Sequence, residues 1–331
     1  MLGQNGPQRL TPPFPGQMRT VKWNFKGPLL EQSDEEITIL PDRSHGTNLS
    51  RENRAKNIER CQVKLYYLRL SHDAAAEDAL QLITDVWNLK LPKLLIEVTG
   101  GSDDFHLHPK LCRQFRKSIV KVAATTGAWI LTGGTHTGVM KYVGEALRDH
   151  ARRSRNKIVA IGIAPWGIVE NRDTLVDEVG TATANKVKSY RVTSSVDSDG
   201  SPLDPNHTHF ILVDNGTVNK YGVEFNFRSR LEKLISEQPL FPGSDQTVPI
   251  VCLVLEGGID TIKVVLQNVS QNPPIPIVVV EGSGRAADLI AYALSNTSTN
   301  GQLVRLRERE RERGGDVERE VETVRGGESE S

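Results

Sequence analysis

The residues of this 331-residue sequence whose types and spacing could do chemistry gather first in one short stretch. Thr132-Gly133-Gly134-Thr135-His136-Thr137-Gly138 lies between an apolar run ending at Leu131 and an amphipathic run opening near Val139. A strand, a glycine loop and a helix start, in that order, leave a place where an anion fits. The first N–H groups of a helix lack intrahelical partners, and the helix dipole makes their surroundings electropositive. Glycines at 133, 134 and 138 would let phosphate oxygens approach the main chain without a Cβ in the way. The loop has neither the Lys-Ser/Thr pair of a P-loop nor the G-x-G-x-x-G spacing of a dinucleotide fold. Spacing alone therefore leaves two readings open, a phosphate cradle and a tight strand-to-helix connection.

The motif is not isolated. Apolar runs also end at Thr99-Gly100-Gly101, Pro165-Trp166-Gly167, Asp214-Asn215-Gly216, Glu256-Gly257-Gly258 and Glu281-Gly282-Ser283-Gly284. In an open parallel α/β sheet such turns share one rim, beyond the carboxyl ends of the strands, where ligands bind. Hydroxyls from Thr99, Thr132, Thr135 and Ser283 favour a phosphate-bearing ligand on that rim. Arg172, Arg228, Arg230 and Arg285 are the candidate counter-charges, since a guanidinium pairs bidentately with phosphate and stacks on a base. Each is also explained as a solvated helix residue. Glu224, with Tyr221 and Asp214 nearby, is the one carboxylate group placed for hydrolytic work, and it reads equally well as a first-turn helix acid. The pairs His106/His108 and His207/His209 are not read as metal ligands, because no third ligand cluster is near in sequence. Trp129 and Trp166 read as core or crevice wall.

The elements that would carry these residues follow from periodicity. Short apolar runs at 94–101, 128–131, 157–167, 208–216, 248–258 and 275–284 alternate with helical patterns at 109–126, 139–153, 223–238, 260–270 and 285–294. Strands apolar on both sides and separated by helices imply a mostly parallel sheet with helices on both faces, a Rossmann-like α/β fold. Residues 60–70, RCQVKLYYLRL, alternate and predict an edge strand or ribbon with one wet face. Residues 74–87 follow helical spacing, with Asp73 as the expected N-cap, and 168–206 reads as a long polar connection. Residues 1–57 are expected to be a flexible arm, with a short strand at 20–25. Residues 58–297 form the folded domain, and the Arg/Glu-rich tail 298–331 is expected to be a solvated helix or disordered. The 41 basic and 41 acidic residues cancel, which argues against a general nucleic-acid binder. Three scattered cysteines suit a reducing compartment. No apolar run reaches the ~18 residues of a membrane span, and no signal peptide is evident. The chain itself is expected to be soluble and cytoplasmic.

Several of these stretches are long enough to carry a resemblance. GAWILTGGTHTGVMKYVGEALRDH, AIGIAPWGIVENRDTL, NHTHFILVDNGT, YGVEFNFRSRLEKLISEQ, PIVCLVLEGG and VVVEGSGRAADLIA resemble the N-terminal homology region of melastatin-type TRP (TRPM) cation channels. The likeness runs from about 60 to 296 and looks nearest to the ADP-ribose-responsive and cold-sensing branch. That region is similar to the SLOG nucleotide-sensor fold, related to the LOG phosphoribohydrolases. The resemblance implies a ligand-sensing and assembly domain at the cytoplasmic face of the plasma membrane, part of a homotetrameric, calcium-permeable, nonselective channel. It implies an adenine-nucleotide ligand, ADP-ribose or a relative, and other channel subunits as partners, with no metal, catalytic residue or other cofactor. The ligand residues it implies are Thr99, Gly100, Gly101, Gly133, Gly134, Thr135, Gly138, Arg172 and either Arg228 or Arg230. The turn Gly282, Ser283 and Gly284 completes the expected rim. The LOG enzymes carry P-G-G-x-G-T-x-x-E, whereas DNGTVNKYGVE here has no double glycine and a longer gap to its acid. That departure argues against hydrolysis. A LOG-type phosphoribohydrolase using Glu224 and a purely structural subunit-assembly module remain as alternatives.

Overall fold

A run such as Trp129-Ile130-Leu131 puts a large apolar side chain on each face of a strand, so the strand is stable only with both faces covered. The computed structural model, which describes residues 37–40, 63–176, 188–191, 200–296, 304–306 and 321–323, resolves how that covering is achieved. In chain order the strands are β1 (Ile37–Leu40), β2 (Val63–Ser71), β3 (Leu95–Gly100), β4 (Trp129–Thr132), β5 (Val159–Pro165), β6 (Lys188–Arg191), β7 (His209–Asp214), β8 (Ile250–Leu255) and β9 (Ile277–Val279). They form one nine-stranded sheet in the order β6-β1-β2-β7-β5-β4-β3-β8-β9. The seven strands from β2 to β9 in that order are all parallel. The sequence series supplies six of them, and β2 is the seventh.

The helices are α1 (Ala76–Gln81), which continues as a π-turn through Val86, α2 (Pro109–Thr126), α3 (Gly138–Ala151), α4 (Phe225–Ser236), α5 (Ile259–Val269) and α6 (Arg285–Ser295). One apolar layer joins Leu95, Trp129, Leu131, Ile161 and Ile211 to Ile83, Phe227, Leu231 and Ile235 of α1 and α4. The opposite layer joins Ile96, Val98 and Ile130 to Phe115, Ile119, Val143 and Leu147 of α2 and α3. Each such buried side chain contributes about 1.5–3 kcal/mol by leaving water. Helix α2 has the predicted limits because Pro109 opens it, the His108 ring accepts from the Lys110 amide, and Gly127 closes it at φ 71°.

Three expectations are corrected. Strand β2 has no wet face along its middle, since adjacent Tyr67 and Leu68 are both buried and β1 pairs antiparallel outside it. Asp73 does not cap α1: Ala75 stands at the N-cap, and the Asp73 carboxylate accepts from the Ser71 hydroxyl instead. The connection 168–206 is not merely polar. Tyr190 and Leu203 are fully buried, and the Tyr190 hydroxyl donates to the Glu170 carbonyl at 2.8 Å while accepting from the Leu203 amide at 3.1 Å. Within the expected arm, Ile37–Leu40 pairs with β2 and β6, and within the tail Val304–Leu306 (β10) and Val321–Thr323 (β11) pair antiparallel. The strand expected at 20–25 lies outside the described residues. No helix among the described residues is long and apolar enough to cross a membrane.

Candidate functional site

The carboxyl ends of β3, β4 and β5 enclose a cavity of about 120 Å³ against the first turns of α4 and α5. Thr99 and Gly100 come from the turn after β3, Gly133 and Thr135 from the loop after β4, and Pro165 and Ile168 from the turn after β5. Tyr221, Glu224 and Arg228 enter with α4, and Asp260 and Thr261 with α5; Val98, Val139, Met140 and Val264 complete an apolar wall. Parallel strands therefore aim five separate chain segments at one point, at the crevice where open α/β sheets hold ligands. A larger hollow of about 470 Å³, lined by Asp104, His106, Lys141 and Glu145, lies beside α3. There Lys141 donates to Asp104 at 3.1 Å and is already paired.

The glycines do not bare the main chain as the sequence reading expected. A Cβ at Gly100 would stand 1.9 Å from the Leu255 carbonyl oxygen, one at Gly138 2.0 Å from the Gly101 carbonyl oxygen, and one at Gly134 2.8 Å from Gly162 Cα. A Cβ at Gly101 would stand 2.0 Å from Glu256 Oε2. Protein, and not open space, fills the room those side chains would need. At the α3 N-terminus the Gly138 amide donates to Asp104 Oδ1 at 3.1 Å, and the Val139 amide donates to the Gly101 carbonyl at 2.9 Å. Asp104 thus supplies the negative charge that the helix dipole favours, in the position foreseen for a phosphate. Burial raises the Asp104 pKa, but the bonds from Lys141 and Gly138 outweigh it and hold the carboxyl below its ordinary value. Only Gly133 faces the cavity with room, since its Cβ would meet Met140 Sδ at 3.5 Å.

A clamp that sequence reasoning missed fixes this loop. Asp204, fully buried, bonds His136 Nδ1 at 2.7 Å and His207 Nδ1 at 3.0 Å, and takes the Asn206 amide at 2.9 Å. His207 Nε2 lies 2.8 Å from the Thr132 hydroxyl, which accepts the Gly134 amide at 2.9 Å. Burial pushes the Asp204 pKa up, yet the bonds from His136 and His207 prevail and carry it down to about 2. In the tautomer that donates from Nδ1 to Asp204, His207 accepts the Thr132 hydroxyl at Nε2. Gly144 of α3 admits the carboxylate, because a Cβ there would fall 2.2 Å from Asp204 Oδ1.

The second polar group lies across the cavity. Arg228 is buried, with Nε donating to Glu232 Oε1 at 2.8 Å and Nη2 standing 3.4 Å from Glu97 Oε1. Asn268 Nδ2 donates to Glu97 Oε2 at 2.7 Å. Burial first, and the Glu97 charge second, raise the Glu232 pKa against the opposing pull of Arg228. Arg228 therefore faces the cavity with its charge already matched. One turn earlier, at the N-cap of α4, Glu224 is 6 % exposed and its Oε2 has no hydrogen-bond partner. Burial lifts its pKa to about 7, against weaker pulls from its own amide, Arg228 and the Gly222 amide.

Comparison with known proteins places this geometry. A family model described as "SLOG in TRPM" matches residues 65–316. The chain belongs to the TRPM-type SLOG family. It is 48 % identical over 237 residues to member 7 of the M subfamily of transient receptor potential cation channels from Homo sapiens, covering 72 % of this chain and 12 % of that protein. It is 48 % identical over 229 residues to the trpm channel of Drosophila melanogaster, covering 69 % of this chain and 11 % of the relative. Against member 2 from Rattus norvegicus it is 47 % identical over 229 residues, covering 68 % and 15 %. These identities agree to within a percentage point, so they do not single out a branch. The chain spans less than a sixth of the length of these curated relatives.

The SLOG domain brings Thr99, Gly100, Gly133, Thr135 and Arg228 together at the cavity and leaves other expected residues outside it. Gly101, Gly134 and Gly138 pack behind the rim, as above. Arg230 turns away from the cavity, donating to the His72 carbonyl at 2.9 Å with its guanidinium 5.7 Å from the Phe227 ring. Arg172 donates to the Gly167 carbonyl at 3.2 Å, just beyond the Trp166–Ile168 turn. Gly282, Ser283 and Gly284 form the next turn along the rim and not a wall of the cavity. The Ser283 hydroxyl takes the Glu256 amide at 2.8 Å, and Arg285 Nη1 reaches Glu256 Oε1 at 3.3 Å. His209 packs against the Tyr66 and Trp87 rings, at 5.3 and 4.8 Å between centroids. Trp129 is core, and Trp166 lies under the Arg69 guanidinium at 4.2 Å.

Proposed function

We propose that this SLOG domain is the ligand-sensing and assembly part of a TRPM-type calcium-permeable, nonselective cation channel, and that its ligand is ADP-ribose or a related adenine nucleotide. The observation that carries the ligand reading is the convergence of five segments on one cavity at the carboxyl ends of β3, β4 and β5. At about 120 Å³, the cavity is below the ~300 Å³ at which pockets for whole drug-sized ligands begin. It takes a sugar-sized part of a nucleotide and leaves the phosphates along the rim, on the side of Arg172. Ligand binding would act by population shift, favouring one arrangement of the domain against its neighbours, with no chemistry. The assembly reading draws on the outward faces of α5 and α6. Ile259, Leu266, Leu289, Tyr292 and Leu294 are each more than half exposed there, large apolar side chains of the kind that other subunits of a homotetramer cover.

Calorimetric titration of ADP-ribose into the full chain and into Gly133→Val tests the site. The branched side chain narrows the cavity wall, and binding weakens tenfold or more while the melting temperature is kept. Equal heats from both proteins remove the cavity from the ligand reading. A second reading, phosphoribohydrolase-like cleavage, is favoured by Glu224 alone, a buried carboxyl whose pKa of about 7 suits a general acid. Incubation with AMP and ADP-ribose followed by chromatography decides it, since unchanged nucleotide excludes catalysis.

A further inference from the structure

We propose that Glu224 sets the chemical class of group the cavity accepts: its free Oε2 takes a hydrogen bond from a ligand hydroxyl, so a ribose diol, and not a phosphate, occupies the inner end. This rests on the nucleotide reading above and specifies which part of the nucleotide enters. The argument begins with charge. Among the described residues, the titratable groups lining the cavity are Tyr221 before α4, Glu224 at its N-cap, Arg228 within it, and Asp260 on α5. Arg228 is the only cation among them. It is held by Glu232 at 2.8 Å and Glu97 at 3.4 Å and has a further contact to the Val98 carbonyl at 3.5 Å. A phosphate at the inner end would meet two carboxyls and a guanidinium already neutralised, at a cost that low-dielectric surroundings enlarge.

An uncharged hydroxyl meets the opposite situation. A buried polar atom without a partner is destabilising, and Glu224 Oε2 is such an atom, on a side chain 6 % exposed at the cavity wall. A ligand hydroxyl that donates to it recovers that loss. The Thr99, Thr135, Thr261 and Tyr221 hydroxyls line the same space and can accept or donate to the second hydroxyl of a vicinal diol. Phosphates then lie outside, along the rim.

The geometry has a proton signature. A donor bound to Oε2 favours the ionised carboxylate, so it lowers a pKa that burial has raised to about 7. Binding near neutrality therefore releases a proton, and affinity grows as pH rises. Were the ligand to present a phosphate or carbonyl oxygen instead, protonated Glu224 would be the donor. Binding would then take up a proton, and affinity would fall with pH.

The test is calorimetry of the full chain and of Glu224→Gln with ADP-ribose and with adenosine, at pH 6 and 8, in buffers of different ionisation enthalpy. Wild type is expected to release a proton on binding and to gain about tenfold in affinity from pH 6 to 8. Glu224→Gln is expected to keep its fold by melting temperature, to bind more weakly at pH 8 and to lose the pH dependence. ADP-ribose binding with proton uptake or no proton exchange, or an unchanged pH profile in Glu224→Gln, overturns the inference and leaves the nucleotide reading standing. Adenosine binding with proton release while ADP-ribose fails to bind supports the inference and removes ADP-ribose as ligand. If neither compound binds wild type, both readings fall together.

Discussion

Two buried carboxyls at the same end of the sheet have opposite fates. Asp204 reaches two histidines and a backbone amide, and its pKa is carried down to about 2. Glu224 leaves Oε2 without a partner, and its pKa is carried up to about 7. Burial works in the same direction on both, so hydrogen bonding decides the sign. The difference separates scaffold from site. A carboxylate whose oxygens are satisfied from within is part of what holds a loop in shape, whereas one left open at a cavity wall is available to something that arrives.

The largest effect should come from breaking the satisfied acid. Asp204→Ala leaves two histidines and the Thr132–Gly134 loop without their common partner, and should cost about 3–5 kcal/mol in urea unfolding. Asp204 also sets a pH window. Its folded pKa lies below the unfolded value, so its contribution is complete above pH ~4 and is lost as pH falls toward ~2, about 2 kcal/mol in all. A mutant as stable as wild type at pH 7 would show that the clamp is ornamental.

The open acid should behave with the reverse sign. Its folded pKa lies above the unfolded value, so the folded protein holds more protons between pH ~4.5 and ~7 and loses stability as pH rises through that range. Glu224→Gln should therefore stabilise the chain at pH 8, by about 1–3 kcal/mol, and change little at pH 4. Stabilisation independent of pH would mean that packing, and not charge, is what the substitution alters.

Gly144 sharpens the comparison from the helix side. A Cβ there meets both oxygens of the Asp204 carboxylate, at 2.2 and 2.4 Å. Neither can retreat without giving up His136 or His207. Gly144→Ala should cost about 1–3 kcal/mol by overpacking, despite the better helix propensity of alanine. Combined with Asp204→Ala, which empties the space, the second substitution should cost far less, and a double-mutant cycle in chemical unfolding measures that coupling.

Much of the frame was legible in the sequence because apolar runs buried on both faces and ending in glycine leave few arrangements open. Thr99, Gly100, Gly133 and Thr135 meet for that reason. The clamp was not legible. Asp204 and His207 are 68 and 75 residues from the side chains they bond, His136 and Thr132, and no local pattern marks such a contact. Asp104 escaped for a similar reason, being remote from the helix start it occupies. Glu97 did leave a signal: an acid inside the run Leu94-Leu95-Ile96-Glu97-Val98 cannot be buried without a counter-charge, and Arg228 is that charge. β2 was misjudged because its alternation suggested a wet face, whereas Tyr67 packs beside Trp166, Tyr190 and Phe210 while Leu68 and Leu70 pack into the opposite layer.

Helical periodicity also separates the two arginines of α4, and with them the smallest predicted effect. Glu224, Arg228, Leu231 and Ile235 recur at three- and four-residue spacing and are all buried, while Arg230 is two residues, about 200°, around the helix from Arg228. Its guanidinium rests over Phe227 and holds the His72 carbonyl at 2.9 Å on the β2 side. Arg230→Ala should shift stability by no more than about 1 kcal/mol and leave the calorimetric response to ADP-ribose unchanged. Arg172→Ala, at the rim, should weaken that response, because phosphates leaving the cavity pass on its side. If Arg230→Ala abolished binding and Arg172→Ala did not, the ligand would lie between α4 and β2. The contrast between the closed and the open acid would then concern folding alone.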